Sequence, residues 1–100
     1  MTLTLEKKAY LIKGKNTDEI NNDEFMIGRS PHVDLDIRDN MVSQIHCRII
    51  KKNDVFYVED LHTMNGTYID GKQLPADTPT RIEDGQMLWI ANVVYEFRIV

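Results

Sequence analysis

The sequence predicts an all-β protein, an antiparallel sandwich of about ten short strands. Three observations point there. Short apolar segments alternate with turn signals along nearly the whole chain. Val33-Asp34-Leu35-Asp36-Ile37 alternates apolar and acidic residues strictly, the period of a half-buried strand. No window of helix length carries an apolar stripe of 3.6-residue period with capping signals.

The elements follow in order. Residues 9–12 form an apolar strand that Gly14-Lys15-Asn16 ends, and residues 24–27 lead into Gly28. The alternating segment 33–37 comes next, then residues 47–50. Lys52-Asn53-Asp54 turns into residues 55–59. Residues 67–69 and 72–74 flank Asp70-Gly71, the strongest hairpin signal in the chain, because both positions of that turn favour positive φ. Pro75 and Pro79 bracket a loop before residues 80–82. Glu83-Asp84-Gly85 leads into residues 86–90, and Ala91-Asn92 turns into residues 93–99. Period-two faces put Val33, Leu35, Ile37, Cys47, Ile49, Phe56 and Val58 between two sheets. Asp34, Asp36, Arg48 and Glu59 fall on the opposite faces.

Composition narrows the class. One hundred residues, 42% hydrophobic, suffice for a single core and argue against disorder. The net charge of −4 and the scattered Lys and Arg leave no basic stripe for nucleic acid. The single Cys47 excludes an internal disulfide and fits a reducing compartment. No apolar run approaches membrane-spanning length, and the N-terminus lacks the apolar stretch of a signal peptide. The expectation is a cytoplasmic domain at residues 9–100, preceded by an extension at 1–8 and belonging to a longer polypeptide.

In such sandwiches the loops at one end carry function. Three have unusual polar sets: Gly28-Arg29-Ser30, Ser43-Gln44-Ile45-His46 and Thr63-Met64-Asn65-Gly66-Thr67. Arg29 follows a permissive glycine and can fork two hydrogen bonds onto a phosphate, or stand solvated at the surface. The Ser43 hydroxyl can donate to a phosphate oxygen or cap a turn. His46 lies at a strand start and reads better as a brace hydrogen-bonded to loop backbone than as a base, since no nucleophile accompanies it. His32, His46 and His62 lack metal-ligand spacing, so no metal is expected. Asn65 and Gly66 suit left-handed backbone, which turns an amide outward to meet a peptide main chain.

Taken together, these residues resemble the forkhead-associated (FHA) domain family. The match consists of Gly28-Arg29, Asp34, Ser43 with His46, Asp60-Leu61, Asn65-Gly66-Thr67, Gly71 and Gly85, in order from about Phe25 to Phe97. The resemblance implies an FHA-type sandwich of about eleven mostly antiparallel strands with its ligand loops at one end, serving as a phosphothreonine-peptide-binding module in Ser/Thr kinase-dependent signalling. It implies no enzymatic activity, no cofactor and no membrane insertion. Its partner would be a phosphothreonine-containing protein, a substrate of a Ser/Thr kinase. By analogy, Arg29, Ser43 and Gln44 hold the phosphate, and Asn65 bonds the peptide backbone. Gly28, His46, Gly66 and Thr67 are architectural. Thr63, Met64, Asp70, Gly71 and Lys72 shape the site or its specificity.

Two positions depart from the family. Gln44 stands where Arg or another polar donor often follows the serine, and Met64 stands where a polar residue often precedes the asparagine. Gln44 brings no charge and Met64 cannot donate, so the cradle is lean. That leaves an alternative in which the domain is a phosphate-independent interaction or scaffold module.

Overall fold

The computed structural model describes residues 6–100. Most of the expected extension, residues 1–5, lies outside the described residues. Eleven strands and no helix are present among the described residues. One sheet has six strands: β1 (Ala9–Lys13), β2 (Asn16–Glu19), β7 (Thr67–Ile69), β8 (Lys72–Gln73), β10 (Met87–Ile90) and β11 (Val93–Ile99), in the order β2-β1-β11-β10-β7-β8. The other has five: β3 (Glu24–Gly28), β4 (Leu35–Asp36), β5 (Cys47–Lys52), β6 (Val55–Asp60) and β9 (Thr80–Ile82), in the order β4-β3-β5-β6-β9. Every ladder between these strands is antiparallel except β3–β4.

The inward faces are those the alternation predicts. Leu35, Ile37, Cys47, Ile49, Phe56 and Val58 are buried, and Val33 is half-buried. Phe56 of one sheet meets Phe97 of the other edge-on, with ring centroids 5.4 Å apart. Edge-to-face geometry sets the positive rim of one ring against the negative face of the other, and this adds to the stabilisation from burial. Leu11, Ile27, Ile82, Leu88 and Ile90 close the same core.

On the outer face, Arg48 and Glu59 are cross-strand partners. Arg48 donates to Glu59 Oε1 from Nε at 3.0 Å and Nη2 at 2.8 Å, and pairs with Glu24 at 3.1 Å. Glu59 is thereby buried on the side away from the core, covered by its own partner.

Two elements differ from the sequence expectation. β2, Asn-Thr-Asp-Glu, has no apolar alternation because it is an edge strand and largely exposed. Its strand form comes from pairing with β1. The segment expected as a strand over 33–37 is laddered only at Leu35–Asp36. Asp34 diverts the chain: its side chain accepts the Met26 N–H at 2.7 Å, while its own N–H bonds the Met26 carbonyl at 2.9 Å. Asp70 and Gly71 have φ of 49° and 81°, the primed hairpin turn that the dipeptide predicts.

Candidate functional site

Four connections meet at one end of the sandwich. The Arg29 N–H bonds the Ser43 carbonyl at 2.9 Å, and the His46 N–H bonds the Ile27 carbonyl at 2.9 Å, tying the β4–β5 loop to the end of β3. The Leu61 N–H bonds the His46 carbonyl at 3.0 Å, joining the β6–β7 loop. The Ala91 N–H bonds the Gly66 carbonyl at 3.0 Å, joining the β10–β11 turn.

Gly28 makes the first connection possible. A Cβ there would run into the Gln44 carbonyl oxygen and lie 2.8 Å from its carbon. Only a glycine lets the β4–β5 loop lie directly on β3. That packing places Ser43 and Gln44 beside Arg29.

His46 braces two loops at once. It is fully buried. Nδ1 accepts the Ser43 N–H at 3.0 Å, so the ring proton resides on Nε2, which donates to the Gly66 carbonyl at 2.8 Å. Burial lowers its pKa and outweighs the Gly66 bond and the nearby Asp60 charge, which act in the opposite direction. The ring is neutral near pH 7. Both nitrogens are committed.

Asp60 anchors the β6–β7 loop. It accepts the hydroxyls of Thr63 and Thr67 at 2.6 Å each and the Thr63 N–H at 3.1 Å. The Thr63 hydroxyl in turn accepts the Gly66 N–H at 3.1 Å. Burial alone would raise the Asp60 pKa, but the hydrogen bonds prevail and hold it below the usual carboxylate value. Gly66 has φ of 80°, where a side chain is strained, and a Cβ there would lie 2.9 Å from Gln73 Nε2 and 3.2 Å from the Tyr68 hydroxyl, so Gln73 would have to shift.

The residues that face solvent sit on this frame. Arg29 donates from Nε to the Val42 carbonyl at 3.1 Å, and Asn65 donates from Nδ2 to the adjacent Met41 carbonyl at 2.8 Å. The two side chains thus converge on neighbouring peptide groups of one loop. The Arg29 terminal nitrogens and the Ser43 hydroxyl have no hydrogen-bond partner among the described residues. Every other arginine pairs with a carboxylate: Arg38 with Asp36, Arg48 with Glu59, Arg81 with Glu83, and Arg98 with Asp84 and Glu96.

The remaining sequence candidates divide. Gln44 is exposed beside Ser43. Met64 is 93% exposed at the loop tip and does not pack beneath it. Thr63 turns inward to Asp60 as a shaping residue. Asp70 is absorbed in the hairpin, accepting the Met87 N–H at 2.8 Å and the Gln86 amide at 3.1 Å. Gly71 and Lys72 are exposed on that hairpin. Asp60 was legible as a motif residue without a role; its spacing to Thr63 and Thr67 was the available signal. The contribution of the Met41 and Val42 carbonyls had none, since backbone groups carry no side-chain identity.

The FHA domain family model matches residues 25–91, which contain the end of β3 and the whole of the β4–β5 and β6–β7 loops. The chain belongs to the FHA domain family. The FHA domain-containing protein FhaB of Mycolicibacterium smegmatis is 32% identical over 79 residues, covering 79% of this chain and 50% of FhaB. The chain thus spans about half the length of that relative. Among solved structures, Mycobacterium tuberculosis EmbR in complex with a low-affinity phosphopeptide superposes with a TM-score of 0.84 at 22% identity, over 91% of this chain and 24% of EmbR. The MEK1 FHA domain in complex with a HOP1 phosphothreonine peptide gives 0.79 at 24% identity, over 91% and 95% of the two chains. These likenesses support the FHA sandwich described above.

Proposed function

We propose that this FHA domain binds a phosphothreonine on a partner protein, as an interaction module in Ser/Thr kinase-dependent signalling. The observation that carries the reading is the uncommitted end of Arg29. A cation with no carboxylate partner among the described residues, on a residue whose backbone N–H bonds the Ser43 carbonyl, is a local positive site in an acidic chain. A phosphate near pH 7 brings about −1.5 to −2 charges and three strong acceptor oxygens. Arg29 and Ser43 hold that group and Gln44 adds an uncharged donor. Asn65, already aimed across the gap, takes the peptide backbone. The EmbR and MEK1 structures, each with a phosphopeptide, support the same reading by likeness of fold.

The domain works by binding rather than by catalysis. His46 has no ring nitrogen to spare for a proton transfer. Cys47 is buried and burial pushes its thiol pKa up, which suppresses the nucleophilic thiolate. Residues 9–100 constitute the folded unit, and the reading places it in the cytoplasm, where kinases and their substrates meet. No helix among the described residues is long and apolar enough to cross a membrane.

The exposed Met64 favours a second reading, a phosphate-independent docking domain, because it puts an apolar tip where a donor would serve phosphate. Fluorescence anisotropy with matched phosphorylated and bare threonine peptides separates the two. Phosphate-dependent binding that Arg29→Ala removes supports the first. Equal affinity for both peptides supports the second.

A further inference from the structure

Asn65 is the only asparagine of the chain that is followed by glycine. That neighbour matters chemically, because a missing Cβ leaves the next backbone nitrogen open to the asparagine side chain. The pair can then close on itself. The Gly66 nitrogen forms a bond to Asn65 Cγ, the Cγ–Nδ2 bond breaks, and ammonia leaves with the proton that the nitrogen gives up. Water opens the resulting succinimide ring. Entry at Cγ yields aspartate, and entry at the main-chain carbonyl yields isoaspartate. Water is the only co-reactant.

The fold holds both reacting groups in other bonds. The Gly66 N–H donates to the Thr63 hydroxyl at 3.1 Å, and that hydroxyl is itself fixed on Asp60 at 2.6 Å. The Asn65 amide is drawn across to the Met41 carbonyl at 2.8 Å. Gly66 is buried, whereas Asn65 is half-buried and Met64 beside it stands 93% exposed. Release of the two groups requires the Thr63 and Met41 bonds to open. Local opening at an exposed loop tip costs less than unfolding the sheets.

We propose that Asn65 is a self-modification site: opening of the β6–β7 loop converts it to aspartate or isoaspartate, and the new carboxylate shuts the phosphate cradle. The functional half of the proposal rests on the phosphothreonine reading above. Asn65 and Arg29 bond the carbonyls of consecutive residues, Met41 and Val42, so an acid at position 65 comes close to Arg29. It gives Arg29 the carboxylate partner that each of the other arginines has, and it repels an incoming phosphate. The amide donor to the peptide backbone is lost in the same step. A bound phosphopeptide acts the other way, by keeping the Asn65 amide engaged and the loop closed. The site ages when idle and is preserved when occupied.

The test follows the 100-residue chain through incubation in warm, mildly alkaline buffer, with peptide mapping by mass spectrometry and phosphopeptide anisotropy on the same samples. The expected result is acid at position 65 ahead of the other asparagines, with affinity falling in step. Thr63→Val removes the acceptor of the Gly66 N–H and should speed the conversion severalfold. Saturating phosphopeptide should slow it in the unaltered chain, which decides the same point if Thr63→Val does not fold. Asn65→Asp, checked for an intact fold by melting, should bind the phosphopeptide about ten- to a hundred-fold more weakly, the worth of a charge-assisted contact. Asn65 that keeps its amide in the folded chain after the urea-unfolded chain has lost it overturns this inference. So does an Asn65→Asp protein with undiminished affinity, and both results leave the phosphothreonine reading standing. Fresh protein whose binding ignores phosphorylation overturns that reading and the functional half of this inference, and the mass map alone then judges the chemistry at Asn65.

Discussion

At the scale of single residues, the candidate site is a contrast between committed and uncommitted polar groups. Arg29 uses one nitrogen on the Val42 carbonyl, and its terminal nitrogens have no partner among the described residues. Arg29→Ala should weaken phosphopeptide binding by about 1.5–3 kcal/mol, the range for a charge-assisted hydrogen bond. Arg29→Lys should recover only part, because an ammonium lacks the fork. Isothermal titration with matched peptides checks both. Gln44 and Met64 mark where the cradle is lean. Gln44→Arg or Met64→Thr should each gain about 0.5–2 kcal/mol for the phosphopeptide and nothing for the bare one. Because Met64 is almost wholly exposed, its replacement should leave stability within about 0.5 kcal/mol. A Gln44→Arg protein with unchanged melting and no gain for any phosphopeptide would show the site turned to another use.

At the scale of elements, the candidate-site loops are positioned by a frame of buried groups beneath them. Gly28→Ala forces the β4–β5 loop off β3, because the new Cβ meets backbone atoms of Gln44 rather than a flexible side chain. Expected outcomes are lower stability and loss of phosphopeptide affinity together, read by melting and anisotropy on one sample. The same frame has a pH dependence. His46 has a folded pKa below its ordinary 6.5, so between those values the unfolded chain binds a proton that the folded chain refuses. Its contribution is therefore present above about pH 6.5 and is lost as pH falls through the folded value. Protonation of Nδ1 also removes the acceptor for the Ser43 N–H, loosening the loop that carries the phosphate donor. Asp60 follows in stronger acid: its folded pKa lies below 3.8, and its contribution disappears as pH falls through that value. The ligand-free melting temperature should decline below about pH 6.5, and ¹⁵N ring shifts should show His46 as the Nε2–H tautomer at neutral pH. A melting temperature that is flat from pH 7 to 5, with an Nδ1–H ring, would remove His46 from this role.

At the scale of the whole molecule, two sheets are held by one core in which Phe56 and Phe97 bridge the layers. Phe97→Ala should cost about 3–5 kcal/mol, a large share of the 5–15 kcal/mol typical of a domain this size, with both sheets melting together. Calorimetry checks it. Much of this architecture was readable in the chain. Ten of the strands carried their own signal, because a strand buried on one face must alternate and a tight hairpin must have residues such as Asp70-Gly71 that accept positive φ. The motif residues were readable too: Arg29, Ser43, His46 and Asn65 each need a specific side chain, and side chains are what a sequence records.

What required the tertiary structure is what depends on distant partners. β2 is a strand because β1 lies beside it, with no pattern of its own. β4 is a two-residue strand that ladders in parallel with β3, next to Asp34, whose side chain accepts the Met26 N–H. Among the described residues no carboxylate is folded against Arg29, whereas the other arginines have theirs. Tyr68 and Trp89 stand side by side because β7 and β10 pair across a ladder. The sequence by itself determined the fold class, the succession of ten of the strands along the chain and the identity of the motif side chains, since those follow from local period, turn chemistry and residue type. Only the tertiary structure decided which charges are left unpaired and which apolar side chains meet, because pairing and juxtaposition are properties of residues far apart in the chain.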